Sequence, residues 1–200
     1  MIKIGTNGIS DIFIGSTHAN KAYLGTNLIW EYNSGGGDET QDFFCKLELT
    51  DGTTVDLDGS GELTQAMVAT PYASTLYKMH VGNLCTSIGY RAAHQCRKLE
   101  EVVVDEGVTT VGNQAFNADV KLAVVDFPST LTSIGTYCFH NIGNVNCNFT
   151  FRGLTPPTVN ISANNKFSNA NTNIYVPAEA LETYKNTWSS IASKISAIPS

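Results

Sequence analysis

Two histidines, His94 and His140, with Asn117 midway between them, come nearest in type and spacing to metal chemistry in this chain. All three fall at one offset of a 23-residue step, so a shared ion suggests itself. Two rungs of a stacked sheet would hold the rings about 9.5 Å apart. Nitrogens on one zinc lie only about 3–3.5 Å apart, because each Zn–N bond is near 2 Å. The pair therefore reads as turn residues facing solvent. Asp56-x-Asp58-x-Ser60-Gly61 opens like a calcium loop, yet its twelfth position is Met67, where the bidentate carboxylate is needed. That stretch reads instead as a hairpin end followed by a helix cap. Gly59-Ser60-Gly61 lacks the third glycine and the strand–helix setting of a nucleotide fingerprint. There is no G-x-S-x-G, no H-E-x-x-H and no clustered pair of carboxylates. Cys45, Cys85, Cys96, Cys138 and Cys147 form no C-x-x-C, so neither a zinc knuckle nor a redox dithiol is indicated. The sequons at Asn148 and Asn160 matter only on a secreted chain. The sequence points away from an enzyme and calls for no cofactor and no metal.

The elements behind these residues are set by a repeat. Ile88-Gly89 recurs as Val111-Gly112 and as Ile134-Gly135, a step of 23 residues each time. Ala92-Ala93, Ala115-Phe116 and Cys138-Phe139 follow at one offset, and Leu99, Leu122 and Val145 at another. A fixed period in the twenties with small and apolar residues in register is the signature of a solenoid. Each unit cannot bury its apolar face alone, so neighbours must stack. Strands are expected at offsets 12 to 16, with Val102 and Val104, then Val125 and Phe127, pointing inward. One extra residue in the third unit moves the equivalents to Phe149 and Phe151. Cys96 and Cys138 occupy repeat positions, where a thiol packs as a small hydrophobe.

Around this core the chain divides. Residues 1–32 carry Ile4-Gly5-Thr6, Ile14-Gly15-Ser16 and Leu24-Gly25-Thr26 ten residues apart, which reads as a small β-meander. At about thirty residues it is too small to be stable by itself, so it is expected to oligomerise or dock. Residues 33–40 read as a glycine-rich linker. Residues 41–76 are expected to form an N-terminal cap: a hairpin with a type I′ turn at Asp51-Gly52 and a short helix over Glu62–Val68. The solenoid spans 77–151. Residues 152–200 form the C-terminal cap, with a strand at 173–177, a helix from Ala178 to about Asn186, and Trp188, Ile191, Ile195 and Ile198 closing the end. The fold class is mainly β with short helices.

Composition narrows the partners. Hydrophobic residues make up 42% of the chain, enough for a core, while charged residues are only 15%. A net charge of −6 without a basic run argues against a nucleic-acid interface. No segment approaches the roughly 20 apolar residues of a membrane span. The stretch after Met1 also lacks a signal-peptide core.

The string from Val111 to Pro128, with Ser133-Ile134-Gly135, Cys138-Phe139, Arg152-Gly153-Leu154-Thr155-Pro156-Pro157 and Ile174-Tyr175-Val176-Pro177-Ala178, resembles the BspA-like leucine-rich-repeat family over about residues 77–198. That resemblance implies adhesion and recognition rather than catalysis. The first unit departs from it, with Ala93 in the aromatic position and Asp105 in that of proline. Ala22-Tyr23-Leu24-Gly25-Thr26-Asn27 and its fainter copies resemble phage virion-attachment segments. Cellular adhesins of the BspA-like kind carry an export signal, whereas a virion component needs none. The expectation is therefore a phage head or tail fibre or decoration protein, located in the virion. Its residues 1–32 would contact other virion proteins, as a trimer or other homo-oligomer, and its repeats a host surface protein or glycan. The alternatives are a bacterial BspA-like surface adhesin and, behind it, a glycan-degrading enzyme, which would need an acid–base or nucleophile constellation.

The candidate binding residues follow from strand alternation. If offsets 14 and 16 face inward, the outward ladder is Lys78 and His80, Glu101 and Val103, Val124 and Asp126, then Asn148 and Thr150. Tyr90, Arg91 and Tyr137, on the neighbouring turns, offer two rings and a guanidinium that can stack on a sugar or a protein.

Overall fold

A computed structural model describes residues 42–143 and 145–199, and, before them, four short strand segments. Those four make two antiparallel pairs: β1 (Phe13–Ile14) with β2 (Thr17–His18), and β3 (Lys21–Leu24) with β4 (Asn27–Glu31). The first N-terminal repeat, Ile4-Gly5-Thr6, and the linker at 33–40 lie outside the described residues. Chain contacts divide the protein into two units, Met1–Gln41 and Asp42–Ser200.

The second unit begins with β5 (Cys45–Leu49) and β6 (Thr54–Leu57), an antiparallel hairpin. Its turn is not the expected type I′. The Gly52 amide bonds the Leu49 carbonyl at 2.9 Å, and of the turn residues only Gly52 has positive φ, at 84°. A type I turn followed by a left-handed glycine is the usual three-residue hairpin loop. The Asp51 carboxylate is occupied by the Thr53 amide at 2.9 Å.

From here the chain builds two parallel sheets. The larger takes β8 (Leu76–Val81), β10 (Glu101–Val104), β12 (Val124–Phe127), β14 (Cys147–Phe151), β16 (Thr172–Val176) and β17 (Ile195–Ala197), with β5 and β6 antiparallel at its start. The smaller takes β7 (Gly61–Leu63), β9 (Cys85–Ile88), β11 (Thr110–Val111), β13 (Ser133–Ile134) and β15 (Thr158–Val159). Glu62 was expected to begin a helix. Instead β7 adds a rung to β9, with Leu63 fully buried, and the helix α1 (Ala69–Tyr72) starts later. Sheet pairing outweighs local helix preference there. Pro71 is accommodated in the first turn of α1, where a missing N–H costs nothing. Sheet pairing thus runs past both edges of the 77–151 segment.

The inward columns hold the core. Met79, Val102, Val125, Phe149 and Ile174 are successive pairing partners, and all are buried. The one-residue shift is seen directly: Val125 pairs with Phe149 and Phe127 with Phe151. Toward the C-terminal end the core turns aromatic. Phe116 stacks on Phe139 at 5.5 Å, and Phe139 meets Phe149 and Phe167 edge-on. Beyond them Trp188 packs on Phe151 and Tyr184, from α2 (Leu181–Thr187). Trp188, Ile191 and Ile195 are buried as expected, but Ile198 is exposed, because Ile195 lies in a strand rather than on a helical face.

Between the sheets lie turn segments that bond rung to rung. Ala93 N–H donates to Ala115 O, and Phe116 N–H to Cys138 O. Gly89, Gly112 and Gly135 stand in one column, and at Gly112 and Gly135 the backbone of the preceding rung approaches too closely for a side chain, while Gly89 lies against the Glu62 side chain. A Cβ on Gly135 would lie 2.4 Å from the Asn113 amide nitrogen. On the opposite edge Glu106 accepts from the Ser129 amide and hydroxyl, both at 2.8 Å, and from the Thr130 amide at 3.2 Å. Burial tends to raise its carboxyl, but these bonds outweigh it and hold the carboxyl below its ordinary range.

Candidate recognition face

Pairing register places all eight sequence-derived residues in two columns on one face of the larger sheet. Lys78 pairs with Glu101, Glu101 with Val124 and Val124 with Asn148. Beside them run His80, Val103, Asp126 and Thr150. The sheet extends both columns: Asn148 pairs with Asn173, Thr150 with Tyr175, and Tyr175 with Ser196. Those added residues were hidden in the sequence, because the step there is no longer 23.

The columns change character along the stack. At the N-terminal end Lys78 Nζ lies 3.2 Å from Glu101 Oε2, and His80 Nε2 lies 2.9 Å from Asp105 Oδ1. Bonding by Glu101, then the charges of Glu101 and Glu48, hold the Lys78 ammonium above its ordinary range. Val103 and Val124 make an apolar middle, Val124 being 39% exposed. Arg152 pairs with Asp126, and the far end is neutral and polar, with Asn173 Nδ2 donating to Asn148 Oδ1 at 2.9 Å. Exposed ion pairs of this kind contribute about 0–1 kcal/mol. They set the shape and charge of the face more than its stability.

Beside the hairpin the face sinks into an open depression of about 250 Å³, bordered by Lys46, Glu48, Thr54, Lys78, His80 and Glu101. Phe43 meets the His80 ring edge-on at 4.8 Å, and Lys46 Nζ sits 4.7 Å from the Phe43 centroid. Asp105, Arg152 and the hairpin side chains were missed in the sequence. The first two lie just beyond their strands, and the hairpin belongs to no repeat.

A second set of side chains lies on the turns. Arg91 holds its guanidinium 5.0 Å from the Tyr90 centroid, and its Nε donates to Gln114 Oε1 at 2.6 Å. Tyr137 meets His140 edge-on at 5.4 Å. The two histidines are half-buried rather than fully solvent-facing. Burial and then the Arg91 charge lower the His94 imidazole, whose Nδ1 is buried without a partner. Among the described residues no three His, Cys, Asp or Glu side chains are grouped to hold a metal ion.

The five cysteines are free and buried. Burial is the first cause in each and raises every thiol, Cys147 to about 12. Such thiols are inert packing groups. No helix among the described residues is long and apolar enough to cross a membrane.

Parallel rungs, a 23-residue step and side-chain columns on an open sheet define a repeat protein that presents an extended surface. The chain belongs to the BspA type leucine-rich-repeat family, whose profile matches residues 72–190 in 6 copies. Repeats of this family serve adhesion or surface binding and are typically non-enzymatic. No curated protein matches the chain significantly.

Proposed function

We propose that this protein is a non-enzymatic virion component of a phage, a fibre or decoration protein that adheres to the host surface through its repeats. Residues 42–200 act as a leucine-rich-repeat solenoid, closed by the β5–β6 hairpin at one end and by the α2 region at the other. Residues 1–32 are its attachment module to other virion proteins, and residues 33–40 its glycine-rich linker. The single observation behind the adhesive role is the pair of outward columns, from Lys78 to Asn173 and from His80 to Ser196. Extended solenoid faces of this kind bind macromolecules. Many copies on one particle would add weak contacts through avidity. The attachment role rests on the resemblance of the ten-residue N-terminal repeats to virion-attachment segments. A bacterial surface adhesin is the second reading, favoured by the family itself.

Quantitative mass spectrometry of purified particles and of host envelope fractions tests this. The expected result is the chain in particles at fixed stoichiometry, with soluble full-length protein binding host cells. A Val103→Lys, Val124→Asp double variant should lose at least tenfold of that binding. Recovery in the envelope fraction alone would replace the virion reading with the cellular adhesin. Release of reducing ends from host glycans would overturn the non-enzymatic assignment.

A further inference from the structure

The turn segments 89–95, 112–118 and 135–141 form a ridge apart from the sheet-face columns. In a chain of net charge −6, these three segments contain no Asp or Glu but do contain Arg91, His94 and His140. The nearby Asp119 is fully buried, and burial raises its carboxyl well above the ordinary range, which favours its neutral form. The Glu62 side chain packs against Gly89 at the ridge's N-terminal margin.

Three adjacent rungs place Arg91, Gln114 and Tyr137 in one column, with φ of 53°, 57° and 57°. Left-handed backbone costs a non-glycine residue roughly 1–2 kcal/mol that glycine would not incur. Bulky polar or aromatic side chains are nevertheless present at all three positions. Their conformations are also fixed. Gln114 holds the Arg91 guanidinium by its Nε and the guanidinium lies over the Tyr90 ring, while among the described residues neither terminal nitrogen of Arg91 has a hydrogen-bond partner. A guanidinium held by its Nε and presenting a free fork is a receptor for one carboxylate. Tyr90 and Tyr137 are 55% and 46% exposed. Tyr137 follows Arg91 two rungs on in the same column, about 9.5 Å along the stack, while Tyr90 stands in the adjacent column, one residue before Arg91. Exposed aromatic faces flanked by amide side chains suit the C–H faces and hydroxyls of a sugar.

We infer that this ridge binds an acidic glycan, with a sugar carboxylate on the Arg91 fork and neighbouring rings stacked on Tyr90 and Tyr137. The site stands on its own geometry and does not require the sheet face to bind anything. A peptide carboxylate would use the fork but would not need the two exposed rings.

The test is calorimetric or NMR titration of the full chain with tetragalacturonate, maltotetraose and tetraglutamate. Saturable binding is expected for tetragalacturonate alone. Arg91→Gln and Tyr137→Phe should both fold, since neither touches the core. Arg91→Gln should weaken binding at least tenfold and Tyr137→Ala at least threefold, while Tyr137→Phe and the sheet-face variant Lys78→Ala retain it. Equal binding of maltotetraose, equal binding of tetraglutamate, absence of binding, or an unaffected Arg91→Gln would each overturn the inference. None of these results bears on whether the sheet face adheres to host cells.

Discussion

Asn164 Oδ1 accepts the Phe139 amide at 2.9 Å, in the place that a backbone carbonyl of the next rung takes for Ala93 and Phe116. Its Nδ2 donates to Gly135 O at 3.1 Å and to Asn160 O at 3.0 Å. One buried side chain thus supplies what a further repeat would supply, and ends the turn ladder without leaving its last amide bare. Lys166 does related work two residues on, its Nζ donating to Gly143 O and Val145 O.

Removal of that amide should be costly. Asn164→Ala leaves the Phe139 amide and the Gly135 carbonyl buried without these partners, each loss costing about 1–3 kcal/mol. Urea denaturation should show a lower midpoint with an unchanged slope. An unchanged midpoint would mean that water enters and replaces the amide.

Asp119 sets a pH dependence of opposite sign to that of Glu106. Its carboxylate oxygens are buried without partners, and burial raises its pKa well above the ordinary value, opposed weakly by the Cys96 backbone. The folded state therefore holds this proton more tightly than the unfolded chain, whose aspartates titrate at about 3.9. Its contribution is fully present below about pH 3.9 and is lost as pH rises through the folded pKa. Asp119→Leu should flatten the fall in stability between acid and neutral pH and raise the midpoint at pH 7.5. Urea titrations at pH 4.5 and 7.5 measure both changes. Parallel curves for the variant and the parent would exclude an ionisable Asp119 as the source.

The glycine column sets how closely rungs stack. Gly135→Ala puts a methyl group against the Asn113 amide and the Gly112 carbonyl carbon. Overpacking of this kind costs about 1–3 kcal/mol. Thermal unfolding should report a lower transition for Gly135→Ala, whereas alanine at solvent-exposed Lys98 should leave the transition nearly in place.

Much of this arrangement is legible from residues 88 to 151. There the step holds, and glycine, alanine and β-branched residues mark the columns directly. The outward ladder from Lys78 to Thr150 follows from alternation alone. Legibility fails where the step slips. Asn148 pairs with Asn173 rather than with a residue 23 further on, and Asn164 replaces a backbone group with a side chain. No periodic pattern encodes such a substitution. The helix expected over Glu62–Val68 failed for another reason. Its residues carry no strand signal of their own, and only their alignment beside Cys85–Ile88 makes 61–63 a strand. Within the recognition face the columns were legible but their ionic partners, Asp105 and Arg152, were not.

The rung register also makes length an inherited variable. Because Val102, Val125 and Phe149 meet through the same pairing despite the extra residue before Asn148, a tandem duplication of one repeat can enter the stack without disturbing its neighbours. Each such event would lengthen both outward columns by one residue and the face by about 4.8 Å. The molecule is in this sense a ruler. Copying or deleting a single segment of its gene would change how far it reaches along a target, and the existing contacts would stay where they are.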